Sequence, residues 1–343
     1  MKRISPSLVL GALCAGLALA VTTFAHGASA DDDPCAAPDV RNDIRPEPNG
    51  PPTKVHVGIR LIDLMEVNDV QQTLTADLGV ILRWTDPRLA TLQGCEISID
   101  DIWFPGIVFA NAGRELATRP REAGIGPGGE VTYVQRYYAT LATHHNLREF
   151  PFDDQTFRIS MRSLEWAESD VELVVDEQTT GRREVLNISD WQIGSTVGVV
   201  SREYGDVFDK FYSRYDLEIK AERNLAYYIW KVLLPLCLIV AMSWAVFWLD
   251  PAHFGPQIGL SATSMLTLIA FTFATTNMVP ELGYFTRLDV FTGGSTILVF
   301  LALVQSVLTA RLVAEDKKPQ AARVDRWSRV AYPIAFASLF LLS

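Results

Sequence analysis

Residues 251–280 contain no Asp, Glu, Lys or Arg, yet hydroxyls recur through them at Ser261, Thr263, Ser264, Thr267, Thr272, Thr275 and Thr276, with an amide at Asn277. About 20 residues of helix span the hydrocarbon of a bilayer. Lipid offers a hydroxyl no partner, so each must bond its own helix, meet another helix or face water. A membrane helix whose hydroxyls face water is the wall of a pore, and its chemistry is to replace part of an ion's hydration shell.

No other stretch competes chemically. Gly124, Gly126, Gly128 and Gly129 form a glycine run, but Pro127 and the lack of a strand-to-helix setting make it a flexible hairpin loop rather than a phosphate cradle. His144 and His145 are adjacent, so on a strand they point to opposite faces; they read as a solvated pair rather than a metal or proton site. Enzyme signatures and metal-ligand spacings are missing from the sequence. The expectation is a protein that is not an enzyme, with no catalytic residue, metal, cofactor or nucleic-acid partner.

A pore wall must be positioned by other membrane elements. Four apolar segments lie in the second half, at about 225–249, 258–279, 290–310 and 327–342. Tyr227, Tyr228 and Trp230 flank one membrane face of the first segment, and Trp244 and Trp248 the other, as an aromatic belt requires. Its one charge, Lys231, lies near the outer end, where it can snorkel, and Pro235 marks a kink.

Upstream of these segments the composition changes abruptly. Residues 31–223 hold 34 acidic and 20 basic residues, a balance of −14, whereas residues 224–343 hold 6 and 8, a balance of +2. Short alternating or β-branched runs at 54–64, 74–84, 130–141, 156–162 and 214–219 are separated by turn signals, which predicts an antiparallel sandwich. Ahead of it, Lys2, Arg3, the apolar run 8–21 and Ala28-Ser29-Ala30 read as a secretory signal over residues 1–30. Export leaves Cys35 and Cys95 in an oxidising space as either a disulfide or two free thiols, because Cys14 falls in the signal and Cys237 in a membrane segment. Loops 250–257 and 311–329 then face the cytoplasm. The second carries Arg311, Lys317, Lys318, Arg323, Arg326 and Arg329, against Arg287 alone in the exported loop 280–289. That asymmetry follows the positive-inside rule.

Ordered landmarks carry a resemblance. Trp84-Thr85-Asp86-Pro87, Trp103-Phe104-Pro105 and Phe150-Pro151-Phe152-Asp153-Asp154-Gln155 precede Arg223-Asn224, then Tyr227-Tyr228, Pro235 and Ser243-Trp244-Ala245-Val246-Phe247-Trp248. In order and spacing these resemble the pentameric ligand-gated ion channels, or Cys-loop receptors, and their prokaryotic members in particular. Thr143 and Phe157 stand where eukaryotic members have the loop cysteines. The resemblance implies a homopentamer in a bacterial inner membrane. Each subunit would have a periplasmic ligand-binding domain, residues 31–223, folded as a ten-strand immunoglobulin-like β-sandwich. A four-helix transmembrane bundle, residues 224–343, would follow, its second helix lining a central pore. With Pro280 on the family's proline after that helix, the implied lumen face is Gly259, Thr263, Leu266, Ala270, Phe273 and Asn277, a stripe spaced by three and four. Rings of Leu266 and Phe273 would be the gate, and Ser264, Thr267 and Thr275 fall on another face.

The same resemblance implies coupling where Pro151, Phe152 and Asp153 meet the hairpin loop 66–69, Arg223, and the exported loop with Pro280 and Glu281. Ala110, Leu164 and Gly79 stand where cage aromatics are common, so an amine agonist is not implied. Tyr204, Tyr212, Trp166 and Phe109 are the ligand-binding residues expected, for a small molecule, proton or divalent ion. Gly255, Pro256 and Gln257 replace the glutamate of cation-selective relatives, but the acidic exported half and Asp250 favour cations. The rival reading is a membrane-anchored periplasmic sensor that does not conduct. The short cytoplasmic loops and the charge-free second segment count against it.

Overall fold

Period-two burial runs through the first half, and there the chain forms strands. The computed structural model describes residues 35–36, 41–250, 254–275 and 282–342. The expected signal at 1–30, and Asn277, Pro280 and Glu281, lie outside these residues. Twelve strands are β1 (Thr53–Asn68), β2 (Thr73–Thr85), β3 (Glu96–Ser98), β4 (Ile107–Phe109), β5 (Ala112–Ala117), β6 (Glu122–Ile125), β7 (Glu130–Ala142), β8 (Asp154–Ser163), β9 (Val171–Val175), β10 (Gly181–Arg182), β11 (Trp191–Gly205) and β12 (Lys210–Arg223). The ten-strand expectation is exceeded by short pieces such as the two-residue β10.

These strands make two sheets. One has the order β10-β1-β2-β7-β6-β3, with β5 also on β7 and β9 also on β1; the other runs β11-β12-β8-β4. Between them pack Ile59, Leu61, Leu78, Val80 and Leu82 of one sheet and Phe157, Ile159, Leu217 and Ile219 of the other, all almost fully buried. The Trp-containing landmarks meet in this core: Trp84 contacts Trp103 edge-on at 6.2 Å, and Trp103 contacts Trp166 at 5.7 Å.

The glycine run is the hairpin connection expected, not a phosphate cradle. It turns from β6 into β7, and Gly129 at φ +80° would place a Cβ 2.1 Å from the Asp86 carbonyl oxygen. Only glycine fits a backbone that close. Cys35 and Cys95 are bonded to each other, with Cα atoms 5.4 Å apart, tying the segment ahead of β1 to the sandwich.

Helices follow at α1 (Ala226–Trp248), α2 (Phe254–Thr275), α3 (Arg287–Ala314) and α4 (Lys318–Leu342). Within α1 a π-turn at Ile229–Leu233 precedes Pro235, which lacks the N–H of a regular ladder. A Thr286–Asp289 capping box starts α3. Among the described residues, three helices are long and apolar enough to cross a membrane: Ala226–Trp248, Gly255–Thr275 and Arg287–Ala314. The fourth segment and its preceding loop need correction. Residues expected as a cytoplasmic loop at 311–329 are mostly helix: α3 runs to Ala314, and α4 starts at Lys318 with a charged first half. Its charges mark helix because they find partners there, with Asp325 buried against Gln305 and Arg329 donating to the Phe247 carbonyl at 2.9 Å.

The disulfide closes a loop of 60 residues. Cys95→Ser is expected to lower the stability of the exported half by about 4 kcal/mol, on the chain-entropy account of a loop that long. Thermal unfolding with and without reductant should show the same fall in the wild type and none in the variant.

Candidate functional site

The end of β12 delivers Arg223 to the seam between the sandwich and the helices, where it is 7% exposed. Its guanidinium donates to Asp153 through Nε at 2.7 Å and Nη2 at 3.0 Å. It donates also to Asp69, through Nη1 at 2.6 Å and Nη2 at 3.1 Å. Asp153 comes from the loop before β8, and Asp69 from the turn between β1 and β2. Two forked contacts thus hold three separate pieces of chain on one cation. The rings of Trp191 and Phe150 lie 4.2 and 4.8 Å from the guanidinium carbon.

Charge and burial oppose each other here. Burial alone would push the Asp69 carboxyl up; hydrogen bonds from His145 and Arg223, and the arginine's charge, outweigh it and leave Asp69 below its usual value. For Arg223 burial disfavours the cation, and its bonds to Asp153 and Asp69 more than offset that, raising its pKa.

The same loop grips the helices. The backbone N–H groups of Arg287 and Leu288 donate to the carbonyls of Arg148 at 3.0 Å and Phe150 at 3.2 Å, and Leu147 N–H donates to the Tyr284 hydroxyl at 3.1 Å. Leu147, Phe150, Val232 and Leu288 form a small buried core across the seam. Pro151 is buried and Phe152 half-exposed, both beside a cavity of about 310 Å³ shared with Leu233, Leu288, Phe291 and Phe340.

Below the seam, α2 is two-faced. Gln257, Ser261, Ser264 and Leu268 are fully buried against the other helices. Ser261 bonds Ser306 of α3 at 2.8 Å, and the Gln257 amide reaches Asp325 at 3.3 Å. Gly259, Thr263, Leu266, Ala270 and Phe273 all face away from the chain's own bundle, with Leu266 at 68% and Phe273 at 74% exposed. Every α2 hydroxyl named above except Ser261 donates to its own helix: Thr263 to Gly259 and Thr267 to Thr263, both at 2.8 Å, with Ser264, Thr272 and Thr275 doing likewise.

Comparison with known proteins names the architecture. Residues 39–225 match the neurotransmitter-gated ion-channel ligand binding domain, and residues 232–332 match the neurotransmitter-gated ion-channel transmembrane region. The chain belongs to this family of ligand-gated ion channels. It is 26% identical over 295 residues to a proton-gated ion channel of Gloeobacter violaceus, covering 83% of this chain and 80% of that one. It is 28% identical over 281 residues to the gamma-aminobutyric acid receptor subunit beta-4 of Gallus gallus, covering 78% of this chain and 56% of that subunit. The chain thus spans little more than half of the avian relative. As a channel of this family, it is not an enzyme.

The aromatic residues expected to bind ligand in this channel do not converge within one chain. Phe109 packs edge-on against Tyr137 at 5.1 Å, beside a cavity of about 390 Å³ with Tyr133, Met161 and Glu115. Trp166 packs on Trp103, inside the sandwich. Tyr212 is 4% exposed beneath Arg162, whose guanidinium carbon lies 5.1 Å above the ring. Tyr204 alone is open, its hydroxyl donating to Asp209 at 2.5 Å.

Two participants in the seam escaped the sequence reading. Asp69 was within the hairpin loop expected there, but nothing in its spacing marks it as the second carboxylate on Arg223. His145 is corrected: it is not solvated but 0% exposed, its Nδ1 3.0 Å from Asp69. Only His144 faces solvent. Gln257, at the expected inner mouth, is turned into the bundle.

Removing one member of a buried ion pair strands the other, at about 3–5 kcal/mol. Arg223→Ala and Asp153→Asn are expected to abolish gating while the protein still assembles, read as lost agonist currents with unchanged size-exclusion profiles. Asp69, its pKa lowered on folding, contributes fully above its unfolded pKa of about 4 and loses that contribution as pH falls through the folded value. The stability gap between wild type and Asp69→Asn, measured by thermal unfolding, should therefore be full near neutrality and close in acid below about pH 4.

Proposed function

We propose that five copies of this chain form a cation-selective channel in the bacterial inner membrane, with the first half in the periplasm. An agonist acting on that half (a small molecule, a proton or a divalent ion) opens it. The observation that carries this reading is the outward stripe of α2. A charge-free row of Gly259, Thr263, Leu266, Ala270 and Phe273 is exposed, while the opposite face is bonded into the bundle. In a fivefold assembly such a face would line the shared axis. Rings of Leu266 and Phe273 can close that axis by dewetting.

Two features support cations. Each exported half carries a balance of −14, which raises cation concentration within a Debye length of the entrance. The Thr263 hydroxyl spends its proton on the Gly259 carbonyl, so the oxygen it turns to the axis is an acceptor with lone pairs free. A ring of acceptors suits a cation and gives an anion no donor. The name of the Gloeobacter violaceus relative supports a proton among the agonists.

Reconstitution into planar bilayers tests this. Agonist- or pH-evoked currents should reverse near the cation equilibrium potential, and Leu266→Ala or Phe273→Ala should raise the current at rest. A reversal potential that follows chloride would overturn the selectivity; silence under every ligand and pH would overturn the channel.

A further inference from the structure

The sandwich buries one imidazole that uses only one of its two ring nitrogens. His145 follows β7 and is 0% exposed, its ring 5.3 Å from that of Phe157. Nδ1 lies 3.0 Å from Asp69 Oδ1, and Nε2 is buried with no hydrogen-bond partner among the described residues. Because a carboxylate only accepts, the neutral ring donates through Nδ1 and leaves Nε2 as a bare, unused proton acceptor. A histidine buried only for structure ordinarily uses both nitrogens.

Its surroundings are short of positive charge. The titratable and charged groups joined to it by hydrogen bonds are Asp69 from the β1–β2 turn and, through Asp69, Arg223 at the end of β12, which in turn bonds Asp153 from the loop before β8 and the Tyr228 hydroxyl of α1. Gln155 bonds Asp153 at 2.6 Å, and Phe157 and Trp191 supply apolar cover. Two carboxylates against one guanidinium leave a net charge of −1 when His145 is neutral. One proton on Nε2 brings the buried group to zero.

We infer that His145 is a proton-binding site through which external pH acts on gating. The inference rests on the channel reading above and names a ligand, the proton, and the atom that takes it. Asp69 Oδ1 is shared between His145 Nδ1 at 3.0 Å and Arg223 Nη2 at 3.1 Å. A charged imidazolium strengthens its own hold on that oxygen and weakens the arginine's. Acidification thus loosens one of the two bonds holding the β1–β2 turn to Arg223, the residue that leads directly into α1; the other, Nη1 to Oδ2 at 2.6 Å, is not shared with His145. The device is local: it alters how two cations share Asp69, with no new contact needed elsewhere.

The test is the current of the reconstituted full-length channel as external pH is stepped between about 5 and 8. Wild type should show an inflection in that span. His145→Asn places an amide where Nδ1 stood, keeps the bond to Asp69 and cannot take the proton; it should conduct with the inflection lost. His144→Asn, at the exposed neighbour, should keep it. If His145→Asn does not assemble by size-exclusion chromatography, His145→Gln replaces it with the same expected loss. A conducting wild type that shows no inflection, or a variant whose inflection is unmoved, overturns this inference and leaves the channel standing. A protein that never conducts overturns the channel reading and this inference with it.

Discussion

A single guanidinium, Arg223, is placed almost wholly out of water, and the geometry around the seam follows from what that costs. A desolvated cation must be matched by anions held in position, and Asp69 and Asp153 arrive on two loops that otherwise share no strand. The rings of Trp191 and Phe150 close over the arrangement and keep the local dielectric low. That strengthens each contact and also makes each one costly to lose. Because Arg223 is the last residue of β12, a change in how its partners share it reaches the first membrane helix without passing through a flexible linker.

Much of this was legible in the sequence, for identifiable reasons. Period-two burial and turn residues give the sandwich, and the shift from −14 to +2 marks where it stops. The Asp153–Arg223 contact could be anticipated because both residues sit in ordered landmarks. Asp69 and His145 could not. Adjacent histidines on an extended segment look alike, and only the packing of Phe157 and the β1–β2 turn decides that one is buried and the other wet. The charged run at 318–329 misled for a related reason. Charge density alone points to a loop, whereas Asp325 and Arg329 are absorbed by Gln305 and the Phe247 carbonyl.

In α2 the hydroxyls were a loose guide to the outward face, and the structure gives the reason. A threonine in lipid satisfies itself by donating to the carbonyl four residues back, as Thr263, Thr267 and Thr272 do, so a hydroxyl need not face water to be paired. The informative partition is between side chains that bond another helix and those that touch none. Ser261 bonded to Ser306 and Gln257 bonded to Asp325 fix the rotation of the helix. Leu266 and Phe273 then point outward as a consequence.

The small core formed by Leu147, Phe150, Val232 and Leu288 straddles the point at which composition changes. Leu147 and Phe150 belong to the sandwich and Val232 and Leu288 to the helices, and the four are buried in one shared cluster. The chain therefore has two architectures but not two independent modules. A chimera that grafts either half onto a different partner inherits half of an apolar joint, and it stays closed only if the new partner presents side chains of matching volume at those four places.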